Sequence, residues 1–185
     1  MTSPSVPLGS PSGAIGVPAT SEPQTGQPSA SASRAGAVVD PALLAILPAQ
    51  VVGIALVPAA DVAAGLTADP SLAASASAIA VGVVATGTAT SDDFASVSVV
   101  RLRPGIYSET FFADWRGSYD AAACAPAGGV ASHRQQVIGA REIEVALCSG
   151  GARTLHVRLA GDVLVSITSV GAGGFGDLVM AGLHE

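Results

Sequence analysis

Three runs of alternating apolar residues, separated by glycine turns, constrain the C-terminal half of this chain more than any other feature. Ile143, Val145 and Leu147 alternate with Glu142, Glu144 and Ala146 before Ser149-Gly150-Gly151 turns the chain. Leu155, Val157 and Leu159 then alternate with Thr154, His156 and Arg158, and Gly161-Asp162 turns it again into the β-branched run 163–170. A period of two sends successive side chains to opposite faces, so each run predicts a half-buried strand in an antiparallel meander. Residues 177–183 carry Leu178, Val179 and Leu183 at helical spacing and predict a closing helix, which makes the fold class α+β.

The only two cysteines, Cys124 and Cys148, bracket the first of these strands. They lie in no CxxC and near no metal-like cluster, which leaves a disulfide, a buried free pair or a reactive thiol. The disulfide is the expected state: Cys124 ends a predicted helix and Cys148 ends a strand, so a bridge would tie the two layers together. It would also place the protein in an oxidising compartment.

Upstream, residues 1–36 hold six prolines, eight serines and two charges, Glu22 and Arg34. Such a segment has no apolar pattern to offset its ordering entropy and reads as a disordered tether. The folded domain is expected over residues 37–185. It should start at Asp40-Pro41, an N-cap carboxylate followed by proline at the first helical position. A short helix then stops before Pro48, and residues 51–57 predict a buried central strand. A helical turn follows over 61–66, and Asp69-Pro70 repeats the start signal for a helix through about Ala78. Residues 79–86 and 95–103 predict two antiparallel strands joined by a polar turn over 88–93. Tyr107, Phe111, Phe112, Trp115 and Tyr119 come next, with Ser108 as N-cap. Phe111, Trp115 and Tyr119 recur every four residues, so they share one helical face. That face reads as core docking on the sheet, with a carbohydrate-stacking platform as the functional counterpart.

Charge and motifs exclude several functions. The net charge is −6, no basic residue lies between Arg34 and Arg101, and only the second half, with seven arginines against eight acids, could offer even a local basic patch, so nucleic acid is not an expected partner. The two windows without charge, 41–60 and 70–91, are broken by Pro48 or rich in Ser and Thr, so neither reads as a membrane span. No signal peptide is visible at the N-terminus. That alone points to the cytoplasm. The tether and the cysteine pair point outward, to a secreted or surface-tethered protein whose membrane contact, if any, is an anchor upstream of Met1. Residues 171–176 match GxGxxG, but no parallel strand or ribose-binding acid follows, so no dinucleotide cofactor is expected. His133, His156 and His184 show no ligand spacing, and no metal site or catalytic motif is expected.

The residues singled out as ligand-binding candidates are Arg101, Arg103, Thr154, His156 and Arg158. If their strands were neighbours with these faces aligned, they would form a cationic groove for a carboxylate or phosphate. The structural counterpart is pairing of these arginines with Glu142 and Glu144 across strands.

The stretch VIGAREIEVALCSGGARTLHVRLAGDVLVSITSV, with FGDLVMAGL after it, resembles the C-terminal half of small extracytoplasmic lipoproteins of high-GC bacteria. More distantly it is similar to PsbP-like domains, in which a glycine-preceded strand opens an antiparallel sheet packed by helices. The likeness spans residues 105–185 and departs from PsbP in the short N-terminal helices and the cysteine pair. The resemblance implies little about function; the tether, the cysteine pair and the absence of catalytic motifs together point to a non-enzymatic extracytoplasmic domain that binds a small ligand or partner protein on its sheet face or in a sheet–helix cleft. The reading from another class is a small hydrolase with its site around His156 and the arginines.

Overall fold

The computed structural model describes residues 36–87 and 93–184, all in one unit. The expected tether, apart from Gly36, falls outside the described residues, as does most of the polar turn expected over 88–93. The frame is a mostly antiparallel sheet in the order β1 (Val38–Val39), β5 (Ala76–Ala85), β6 (Phe94–Leu102), β10 (Val163–Val170), β9 (Arg153–Leu159), β8 (Arg141–Cys148) and β7 (Val130–Ile138). Its one parallel pair is β1 with β5, and β4 (Val57–Pro58) pairs farther along the same edge of β5, the edge opposite β6. The C-terminal meander is therefore β7–β8–β9–β10, and β10 joins it to β6.

Each face is covered by a different layer, as the period-two text requires. Val97, Val99, Val165, Ile167, Leu155 and Val145 point to one side, where α4 (Phe175–Ala181) contributes Phe175, Val179 and Met180. Leu43 and Leu47 join them from the 3₁₀ helix Pro41–Ile46 and its C-cap. On the other side Ile79, Val100 and Leu164 meet Leu72 of α2 (Pro70–Ser75) and Phe112 of α3 (Glu109–Cys124). A short helix, α1 (Ala60–Thr67), precedes α2.

Caps behave as the residue types dictate. Asp40 accepts from the Ala42 amide, and Asp69 Oδ1 accepts from the Ser71 and Leu72 amides. Ser108 Oγ accepts from the Phe111 amide at 3.0 Å and starts α3. That helix ends at Cys124, where the Cys124–Cys148 disulfide ties it to the end of β8, and Gly128 in the left-handed region (φ 82°) leads into β7.

Three expectations need correction. Residues 51–57 are not a central strand but the hairpin β2 (Gln50–Val51) and β3 (Ile54–Ala55), followed by the edge strand β4. The turn falls on Val52 and Gly53, both at positive φ, and Val51 alone of the run is fully buried. The helix expected to reach Ala78 stops at Ser75, because Ala76 already pairs with Leu102 in the sheet. The closing helix begins at Phe175, two residues early, with Gly174 in the left-handed region as its N-cap. Gly176 lets α4 approach the sheet: a Cβ there would lie 2.8 Å from both Leu155 Cδ1 and Ser169 Cβ. The GxGxxG match is thus a packing device between β10 and α4.

Candidate functional site

Two adjacent rows of side chains at four-residue spacing descend from α3 onto the sheet. Phe111, Trp115 and Tyr119 form one row, directed at β6 and β10. Phe112, Arg116, Asp120 and Cys124 form the other: Phe112 packs with Ile79, Val100 and Leu164, while Arg116, Asp120 and Cys124 meet β7, β8 and β9. Arg116 and Asp120 of this row were not singled out in the sequence, yet Asp120 is the most unusual group among the described residues.

Asp120 is 2% exposed and meets three donors from two strands. Thr154 donates to Oδ1 at 2.5 Å, and His156 Nε2 lies 2.7 Å from the same oxygen. The exposed His133 of β7 reaches Oδ2 through its Nε2 at 3.1 Å. The other ring nitrogen of His156, Nδ1, lies 2.9 Å from Ser166 Oγ of β10. Ser166 in turn accepts from the indole N–H of Trp115 at 3.1 Å. Every donor in this chain meets an acceptor when protons run one way: indole to Ser166, Ser166 hydroxyl to Nδ1, Nε2–H to Asp120. The Tyr119 ring stands edge-on to His156, 5.1 Å between centroids, and its hydroxyl bonds Thr168 at 3.1 Å.

The electrostatics follow from this bonding. Burial alone would raise the Asp120 pKa, but the hydrogen bonds from His156, Thr154 and His133 hold it below the usual carboxylate value. Burial pushes the Tyr119 phenol up, only partly offset by its bonds to Thr168 and Ser98.

The ligand-binding candidates are not gathered into a groove. β6 and β9 are separated by β10, and the register Val163↔Arg101 against Leu164↔Arg158 puts the two arginines on opposite faces. Arg101 pairs with Asp40 at 3.5 Å, and Arg103 donates to the Ala73 carbonyl. Arg158 bonds Asp162 at 3.0 Å and stacks over Tyr107, 3.6 Å from the ring centroid. The expected cross-strand pairing also fails for Arg101 and Arg158, since Glu144 bonds Arg116 of α3 and Gln135 of β7. Thr154 and His156 do share a site, but it lies buried beneath α3.

Beside this network is a cleft of about 380 Å³, between α1–α2 and α3, over β5 and β6. Its floor is Ile79, Ser98 and Val100; Leu66 and Leu72 form one wall, and Phe111, Trp115 and Tyr119 form the other. The aromatic row therefore both packs and lines a concave surface. Trp115 joins the two regions, with its ring in the cleft wall and its N–H on Ser166.

Among the described residues no group of three or more His, Cys, Asp or Glu side chains is placed to hold a metal ion, and no helix is long and apolar enough to cross a membrane. No family model, curated protein or solved structure matches the chain.

Proposed function

We propose that this chain is a binding domain that works outside the cytoplasm, is held to a surface by residues 1–36, and takes a small, mainly apolar ligand in the cleft between α1–α2 and α3. The cleft carries the reading. Its volume of about 380 Å³ falls in the range of small-molecule sites, and its lining is mainly apolar and aromatic, with a few hydroxyls and the carboxylates of Asp69 and Asp114. The disulfide supports an oxidising location, because such bonds persist mainly outside the cytoplasm. The resemblance to PsbP-like lipoprotein domains belongs to the same proposal, as does the absence of a catalytic role.

Trp115 is the only tryptophan of the chain and lines the cleft, so its emission reports occupancy directly. Titration with a neutral probe, 4-phenylbutan-1-ol, is expected to shift Trp115 emission saturably. Ser75→Phe, which fills the cleft, is expected to remove the shift. A linear response, or an unchanged response in that variant, overturns the proposal.

A second reading, the hydrolase, draws on one observation: Ser166, His156 and Asp120 are bonded in the order of a nucleophile, a base and an orienting acid. Against it, Ser166 and His156 are each 1% exposed, and the Ser166 oxygen is already engaged by Trp115. Labelling of Ser166 by a fluorophosphonate in the folded protein, lost in His156→Ala, would decide for the enzyme.

A further inference from the structure

We infer that the cleft selects amphiphiles carrying one positively charged amine, a specificity that rests on the binding role proposed above. The charges around it are of one sign. Among the described residues, the charged ones lining the cleft are Asp69 and Asp114, at its α2 and α3 sides. Asp69 directs Oδ1 to the Ser71 amide, the Ser71 hydroxyl and the Leu72 amide, all of which cap α2, and none of these bonds uses Oδ2. Asp114 makes no hydrogen bond or ion pair among the described residues. Guanidinium groups on the surrounding elements are directed elsewhere. Arg116, one row over on α3, bonds Glu144; Arg103 bonds the Ala73 carbonyl; Arg101 pairs with Asp40.

This arrangement has a chemical consequence. A carboxylate or phosphate head entering the cleft would meet two carboxylates and, among the described residues, no lining cation. An ammonium head would meet Asp114 and the Asp69 oxygen left outside the cap, with the Ser75 and Ser118 hydroxyls as further acceptors. Phe111 and Trp115 line the cleft, and a cation seated over the face of either ring gains further attraction, since an aromatic quadrupole is negative there. The apolar body of the ligand would lie on Leu72, Ile79 and Val100. At a partly solvated site an ion pair of this kind is worth on the order of fivefold to tenfold in affinity.

Three compounds with one body separate the terms: 4-phenylbutylamine, 4-phenylbutan-1-ol and 4-phenylbutyrate, titrated against Trp115 emission at neutral pH and low ionic strength. The amine is expected to bind about fivefold or more tighter than the alcohol, and the acid weaker than either. The preference should shrink as salt is added. The double variant Asp69→Asn/Asp114→Asn, in which Asn still caps α2, should bring the ratio of amine to alcohol affinity to about one. Equal binding of amine and alcohol, or tighter binding of the acid, overturns the selectivity and leaves the cleft intact as a binding site. No saturable response to any of the three overturns the binding role itself. A capped peptide presenting a single lysine tests the other source of an amine. Its binding more tightly than 4-phenylbutylamine would overturn the small-ligand assignment.

Discussion

Asp120 shows how a single buried carboxylate can organise a layer interface. Its two oxygens take bonds from Thr154, His156 and His133, which ties α3 to both β9 and β7. Removing the acceptor strands buried donors, and that costs more than the bonds themselves are worth. Asp120→Ala is therefore expected to lower stability by about 3 kcal/mol, read as a fall in the urea midpoint without a change in slope. Trp115→Phe replaces the indole by a smaller aromatic ring and deletes the donor to Ser166, and about 1–3 kcal/mol is expected to be lost. In the sequence, His156 and Thr154 stand out as polar residues alternating with apolar ones, and a strand face of that kind ordinarily meets solvent. Here it meets α3. The signal that could have shown this is the spacing Arg116, Asp120, Cys124. Once Cys124 is bound to the sheet by Cys148, the residue one turn earlier on the same helical face must also face the sheet, and a buried Asp requires donors there. The serine and threonine of β10, Ser166 and Thr168, occupy the matching face. Local pattern cannot reveal that match, because it depends on the register between β9 and β10.

At the scale of elements, the chain declared its strands, caps and disulfide plainly, and erred where apolar content was taken for burial. The run 51–57 is β-branched throughout much of its length, yet Val52 sits 75% exposed at the tip of a hairpin with φ 51°. A valine there carries a left-handed strain that Asn or Gly largely avoids. Val52→Asn is accordingly expected to stabilise the domain by roughly 0.5–1 kcal/mol, seen as a higher thermal midpoint. Gly176 presents the opposite case, since α4 lies against Leu155 and Ser169 with no room for a methyl group. Gly176→Ala should cost about 1–3 kcal/mol by overpacking, while the same change at the solvent-exposed Gly117 of α3, where a Cβ meets nothing within 4 Å, should be stabilising. The glycine motif was legible as a strand-to-helix loop. Its reason, the close approach of α4 to β9 and β10, belongs to tertiary packing.

For the whole molecule, pH sets two effects against each other. The chain carries a net charge of −6, so acidification toward its isoelectric point near 4.8 relieves self-repulsion and favours the compact state. Asp120 and Asp69 act the other way at lower pH. Both are held below the ordinary value of 3.8, Asp120 because its hydrogen bonds outweigh burial and Asp69 through its bonds to Ser71 and Leu72. A carboxyl group whose pKa is lower in the folded state binds protons more readily when unfolded. Its contribution is fully present above the unfolded value and is lost as pH falls through the folded one. Stability is therefore expected to be level or to rise slightly from neutral pH to about 5, and then to drop below about 4. Thermal unfolding followed by far-ultraviolet circular dichroism across that range checks the sign, and midpoints that kept rising below pH 4 would contradict it. Asp120→Asn separates the two effects. It should lower the midpoint at neutral pH and flatten the acid limb, because the group whose protonation drives part of that limb is gone, whereas the relief of net charge above pH 5 should persist almost unchanged.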